Sequence, residues 1–353
     1  MTIFYIVKIL LLSTLAFIFA VAVTPTLTNF LYKYKLGKKI RNGGQTPVFS
    51  KLHAHKAGTP TMGGVLIWGT VLLFMVLFSF LADVMPGEIF KYLNFFSRSE
   101  TLLPLGVLVA SAIIGLVDDW LDVSGRGVFG GGGLKLKHRL LIYTLIAAAG
   151  AAWFYFKLDW TVFHIPFFGN LEISWWYIPV FIFIIVATSF SVNETDGLDG
   201  LAGGTLMIAF IAYGIISFAL GRYELAAFCG VIIGALLAFL WFNIPPARFY
   251  MGDTGAMSLG VTLGVIAMLT NSALLLPFIG FIFLIESLSV IIQTISKRCR
   301  HKKVFISSPI HHHYQAIGWP ESKVVMRFWV IAALGAVLGL IIFFVDRQWQ
   351  FFL

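Results

Sequence analysis

The sequence predicts an all-α integral membrane protein of about ten transmembrane helices, and three observations predict it. Of its 353 residues, 59% are hydrophobic and only 12% are charged, about half the charged fraction of a soluble domain. Mean hydropathy is +0.91. Apolar runs long enough to cross about 30 Å of hydrocarbon recur along the whole chain, with polar residues gathered between them.

The runs fall near Ile3 to Leu31, Thr61 to Leu81, Leu102 to Val117, Leu140 to Phe156, Trp175 to Ser189, Thr205 to Leu220, Leu225 to Phe242, Ala256 to Thr270, Ala273 to Ile295 and Val324 to Val345. Lys8 ahead of an apolar stretch resembles a signal peptide. That stretch is long, lacks a small-residue cleavage site and leads into a basic loop, so it reads as an uncleaved first span. Most of the 25 lysines and arginines lie in the odd-numbered connections, which the positive-inside rule places in the cytoplasm, leaving both termini periplasmic. The chain reads as one membrane domain, 1–353, with cytoplasmic connections near 32–60, 118–139, 190–204, 243–255 and 296–323. The formal charge of +9 follows from this topology and from anionic lipid, with no nucleic acid required. Two cysteines, Cys229 and Cys299, form no disulfide or zinc framework.

All histidines but His164, and most of the acidic residues outside the apolar runs, fall on the face assigned to the cytoplasm, so a site is expected at that membrane surface. In GLVDDWLD a helix is expected to end on Asp118-Asp119, where two adjacent carboxylates oppose the helix dipole and call for a cation. Mg²⁺ suits them, because a hard ion takes one or two carboxylates together with substrate phosphates; a solvated helix end is the plainer alternative. In SVNETDGLDGLAGG, Asn193, Asp196 and Asp199 recur every third residue and would share one side of a helix. In FNIPPARFYMGDTG, Asp253 stands in N-cap position for the next helix or beside bound phosphate as a metal ligand. Tyr250 reads as a base-stacking ring or an interfacial aromatic. His53, His55 and Lys56 lie in a basic first loop that suits phosphate or anionic lipid equally. Glu286, with Gln293 in the same span, is expected to be paired inside the bundle. In SSPIHHHY the neighbouring histidines diverge, so they do not all face one ion. His311, His312 and His313 read instead as hydrogen-bond donors to phosphate and sugar oxygens, His311 and His312 foremost. The inventory fits phosphoryl transfer between a soluble nucleotide and a membrane lipid.

HKAGTPTMGG, GLVDDW, NETDGLDGLAGG, FNIPPARFYMGDTG and SPIHHHYQAIGWPESKVVMRFW, in this order among ten spans, resemble the bacterial phospho-N-acetylmuramoyl-pentapeptide transferases, the MraY family. The resemblance implies a multi-pass enzyme of the bacterial inner membrane that moves phospho-N-acetylmuramoyl-pentapeptide from UDP-MurNAc-pentapeptide onto undecaprenyl phosphate. Lipid I and UMP would be the products and Mg²⁺ the cofactor. GTPTMGG and the histidine run favour this substrate over that of a related UDP-N-acetylhexosamine transferase. A lipid-linked sugar transporter is the non-enzyme alternative. Membrane lipid is an expected partner, and a homodimer is one assembly left open.

Carried over by position, the resemblance makes Asp118 and Asp119 the paired catalytic carboxylates and Asp253 the main Mg²⁺ ligand, with Asp118 and Asp119 beside it. Lys56, Asp199, Asn243 and Tyr250 fall in the uridine pocket, Asn193 and Asp196 on the adjoining polar stripe. Lys137 matches a basic residue near the diphosphate, with Lys135 and Arg139 as rivals, and Gln293 lies by the groove. Phe190 and Asp122 depart from the pattern, replacing an expected Asn and Lys. Arg126 or Lys135 would balance Asp122. The loop at 127–133 is richer in glycine than the family leads one to expect.

Overall fold

The structure, a computed structural model, describes residues 2–37, 56, 58–125 and 133–352. His53, His55, Arg126 and most of the glycine-rich loop lie outside the described residues. Among those described, nine helices are long and apolar enough to cross a membrane, or ten if a sharply bent pair counts as one span. The all-α multi-span class read from the sequence is therefore the architecture found.

In chain order the helices are α1 (Thr2–Lys33), α2 (Gly64–Val84), the short α3 (Glu88–Leu93), α4 (Leu102–Ser124) and α5 (Leu136–Ala152). An antiparallel hairpin follows, β1 (Val162–Ile165) against β2 (Gly169–Glu172), with Phe163 opposite Leu171. Then come α6 (Tyr177–Thr195), α7 (Leu201–Ala219), α8 (Tyr223–Asn243), α9 (Gly252–Leu269), α10 (Leu276–Ile279), α11 (Phe281–Arg300), α12 (Ile310–Ala316) and α13 (Glu321–Phe352).

The central helix is α9, buried along almost its whole length and packed most extensively on α4 and α6. Without a hydrophobic drive between helices in lipid, close approach depends on small residues. Gly115 of α4 lies against the Asp253 backbone, and a Cβ there would overlap the Asp253 carbonyl. Gly64 of α2 and Gly255 of α9 abut in the same way. These contacts fix where the start of α9 meets the last turns of α4.

The structure moves several expected boundaries. Helix α4 runs to Ser124, so Asp118 and Asp119 sit inside it rather than at its end. Helix α6 runs to Thr195, leaving a tight turn at 196–200 where a loop at 190–204 was expected, and only Asn193 of the three-residue series is helical. A helix carries polar residues past the apolar run when those side chains have partners, as they do here. Asp253 is not the N-cap: Met251 holds that position, and Asp253 lies in the first turn of α9. The ninth run is broken at Gly280, where α10 and α11 meet at 85°. The residue at the joint is a glycine, while Pro277 stands in the first turn of α10, where proline is tolerated. Helix α11 then continues through the basic residues to Arg300.

At the hairpin end of the bundle, His164 Nε2 lies 2.7 Å from Asp346 Oδ2, and the Phe167 amide donates to Asp346 Oδ1 at 2.7 Å. Together these contacts pin the hairpin to the far part of α13.

Candidate active site

Two polar assemblies form where α4, α5, α6, α9 and α13 meet the connections, and a third backs one of them. In the first, the neighbours Asp118 and Asp119 point about 100° apart around α4 and serve different partners. Asp118 Oδ1 accepts the Leu134 amide at 2.5 Å, while its Oδ2 lies 2.8 Å from Arg139 Nε. The second contact is an ion pair without hydrogen-bond alignment, since that buried Nε has no hydrogen-bond partner among the described residues. Arg139 Nη2 donates to Asp253 Oδ2 at 2.8 Å, and Nη1 to Asn193 Oδ1 at 3.1 Å. Asn193 Nδ2 closes the ring by donating to Asp253 Oδ1 at 2.5 Å. One guanidinium thus binds two carboxylates and an amide. Attraction at contact distance outweighs the carboxylate repulsion, because Coulomb energy falls inversely with separation.

Asp119 faces the other way. Its Oδ1 accepts the Asp253 amide at 3.1 Å and the Thr61 hydroxyl at 3.2 Å, and its Oδ2 accepts the Thr254 amide at 3.0 Å. A carboxylate from α4 therefore caps the free amides at the positive end of α9. Gly252 makes room for it: its φ is +74°, and a Cβ would stand 2.5 Å from Asp119 Oδ2 and from Thr61 Oγ1.

The second assembly holds the first loop to the last helix. Lys56 Nζ lies 2.6 Å from Asp199 Oδ1 and 2.5 Å from Glu321 Oε1. Asp199 Oδ2 accepts the Ala247 amide at 3.1 Å, and the Tyr250 hydroxyl lies 3.5 Å from the Lys56 carbonyl. Burial pushes the Tyr250 phenol up to about 12, so it remains a neutral donor. Asn243 is spent on backbone, accepting the Gly200 amide and donating to the Phe249 carbonyl, both at 2.8 Å. It ties the 196–200 turn to the stretch after α8. Asp196 follows α6 as its C-cap residue.

The third assembly corrects the expectation for the histidines. They lie on the short helix α12 and diverge. His311 is fully buried, with Nδ1 3.0 Å from Glu286 Oε2. Buried His312 places Nδ1 3.0 Å from Gln315 Oε1, and half-buried His313 accepts the Ile306 amide at 3.3 Å. The His311 ring fills the space above Gly197, where a Cβ would collide with it. The two rings expected to reach substrate are the two that are buried, so His311 backs the 196–200 turn from behind. Burial, aided by the Lys56 ammonium, pushes the His311 imidazole down to about 3. His312 is also pushed down, first by burial and then by His311. Gln293, expected beside the groove, is buried and ties down the stretch after α11: Oε1 accepts the Val304 and Phe305 amides, and Nε2 donates to the Phe305 carbonyl.

The structure thus gathers Asp118, Asp253 and Asn193 into one cluster and Lys56, Asp199 and Tyr250 into another. It leaves Lys137 exposed and seats the rival Arg139 among the carboxylates. Of these clusters, Glu321 was missed and Arg139 was named only as a rival of Lys137. Arg139 was legible as the start of a four-residue stripe continued by Tyr143, Ala147 and Ala151, all buried on α5. Glu321 had no comparable signal. Among the described residues, no three His, Cys, Asp or Glu side chains converge as a metal set, and Asp119 is turned away to the α9 amides.

A bundle of apolar helices with a shared carboxylate–guanidinium cluster at their ends defines a class, the multi-span membrane proteins that carry a polar site among their helices. Residues 101–271 match the family described as glycosyl transferase family 4, and residues 56–67 match signature 1 of the phospho-N-acetylmuramoyl-pentapeptide-transferases. A phospho-N-acetylmuramoyl-pentapeptide-transferase of Chloroflexus aggregans is 39% identical over 346 residues, covering 94% of this chain and 89% of the relative. One from Anoxybacillus flavithermus is 40% identical over 336 residues, covering 95% and 97%. The chain belongs to the phospho-N-acetylmuramoyl-pentapeptide-transferase family.

Proposed function

We propose that this protein moves phospho-N-acetylmuramoyl-pentapeptide from UDP-MurNAc-pentapeptide to undecaprenyl phosphate, forming lipid I and UMP in peptidoglycan synthesis. Family membership over nearly the full chain supports the reaction. At the level of residues, the observation that carries it is the sharing of Arg139 by Asp118, Asp253 and Asn193. The protein acts as a single domain in the bacterial inner membrane, with its termini periplasmic and the cluster facing the cytoplasm, a topology that the bias of its basic loops supports.

The cluster fits Mg²⁺. Its oxygens already converge on a cation, and hard carboxylate and amide oxygens are the donors that ion takes. Asp118 and Asp253 would hold the ion, which when bound neutralises charge on the diphosphate. Asp118 takes the proton from the lipid phosphate. An oxygen of that phosphate then bonds to the sugar-linked phosphorus as the bond from that phosphorus to the UMP oxygen breaks. Arg139 turns from the carboxylates toward the phosphate oxygens, and Asp119 holds Asp253 in place through the start of α9. Lys56, Asp199 and Tyr250 receive the uridine end.

The test is UMP release from UDP-MurNAc-pentapeptide with undecaprenyl phosphate, with and without Mg²⁺. Metal-dependent release is expected. Release from a UDP-N-acetylhexosamine alone would refute the substrate assignment, and lipid transport surviving Asp253→Ala would favour a transporter. Incubation with the nucleotide substrate and no lipid separates direct displacement from a route through a phosphorylated aspartate, which would leave labelled protein.

A further inference from the structure

We infer that Glu321, at the start of α13, is a positioning residue for the nucleotide end of the site, setting both the cation and the carboxylate offered to a uridine nucleotide. The inference rests on the reading above, which places Lys56 and Asp199 at that end. A single oxygen, Glu321 Oε1, takes the Lys56 ammonium at 2.5 Å and the Asp199 backbone amide at 2.8 Å. The side chains are mostly enclosed, with 17% of Glu321, 12% of Lys56 and 5% of Asp199 exposed. Glu321 thereby fixes the head of Lys56 and the backbone of the residue whose side chain holds that same head. An acidic residue in the first turn is favoured by the dipole of its own helix.

The rest of α13 makes this grip rigid. Eight residues on, about 12 Å along the axis, Trp329 Nε1 donates to the Gly200 carbonyl at 3.1 Å. Between these contacts, Val324, Val325 and Phe328 pack with Leu198 and Leu201, the apolar residues at the turn. The 196–200 turn is therefore held by α13 at two heights, and the Glu321 contact is the polar one. Lys56 is the described residue through which the first loop joins this assembly. Loss of the Glu321 carboxylate frees the ammonium on one side and lets the Asp199 amide drift, while the Arg139 cluster keeps all its own partners.

The test compares wild type, Glu321→Gln and Glu321→Ala in turnover and in direct binding of UMP by calorimetry. Gln keeps an acceptor for the Asp199 amide and loses the ion pair; Ala loses both. The inference requires the nucleotide KM and the UMP Kd to rise about fivefold in Gln and twentyfold or more in Ala. The KM for undecaprenyl phosphate and kcat should stay within about twofold of wild type. An unchanged UMP Kd in Gln would overturn it. So would a fall in kcat, or a rise in both KM values alongside a lower Tm, because either marks a general structural role. UMP binding is read without turnover, so a wild type that binds UMP yet fails to transfer the sugar phosphate would sink the proposed reaction and leave this test intact.

Discussion

The Arg139 cluster and the Glu286–His311 pair are both polar assemblies set into apolar helices, and they differ in almost every other respect. Arg139 is shared among two carboxylates and an amide, and its side chain and that of Asp253 are 21% and 17% exposed. Glu286 and His311 face each other at 0% exposure, and within the described residues Glu286 Oε1 and His311 Nε2 find no hydrogen-bond partner. A shared, partly open cation can exchange one oxygen partner for another, as a phosphate-handling site requires. A sealed pair cannot be reached without unpacking α12 from α11. The exposed cluster is suited to chemistry and the sealed pair to holding the fold.

The strongest attempt to break this distinction is Asp253→Asn. It removes one of the two carboxylates on Arg139, and UMP release at saturating substrates should fall about a thousandfold or more, about 4 kcal/mol of barrier. The thermal midpoint should change little. Asp119 gives a graded case. Its two oxygens accept the Asp253 and Thr254 amides separately, and the single oxygen of an amide side chain replaces only one of those acceptors. Asp119→Asn should cost about tenfold in kcat and Asp119→Ala about a hundredfold, a ranking that a charge-requiring role would erase.

On the other side of the comparison, Glu286→Ala strands a buried imidazole. Leaving a buried neutral group without its hydrogen-bond partner typically costs about 1–3 kcal/mol, visible as a lowered Tm, while kcat of the folded fraction stays within about threefold. A smaller effect comes from pH. Burial pushes the His312 imidazole well down, so in the window below about 6.5 the unfolded chain binds a proton there that the folded chain refuses. Stability is full above that window and falls as pH drops through it. A melting series from about pH 7 to about pH 5 should show the decline, and His312→Gln should flatten it.

How much of this could be read in the sequence follows from the physics of each feature. The spans were legible because about 30 Å of hydrocarbon imposes its length on an apolar run. Their polar ends were not: Asp118 and Asn193 remain helical because Arg139, distant in sequence, partners them. Gly280 looked like one small residue in an apolar run, yet the helix breaks there. Asp118 and Asp253 were expected to share a cation, whereas Asn193 was expected on the stripe beside the uridine pocket and Lys137 was preferred to Arg139. Residues 135, 137 and 139 carry equal charge, and only the buried stripe through Tyr143 distinguishes the last. Glu286 was expected to be paired and the histidines to touch substrate. That His311 is the partner of Glu286 joins two clues that sequence distance kept apart.

The most direct measurement is the rate of UMP release by Asp253→Asn and Glu286→Gln, assayed side by side on protein verified as folded. If the open cluster carries the chemistry and the sealed pair the fold, the first variant loses about three orders of magnitude and the second turns over at close to the wild-type rate with a lower Tm. Loss of turnover in a fully stable Glu286→Gln, or near-normal turnover in Asp253→Asn, would contradict the account.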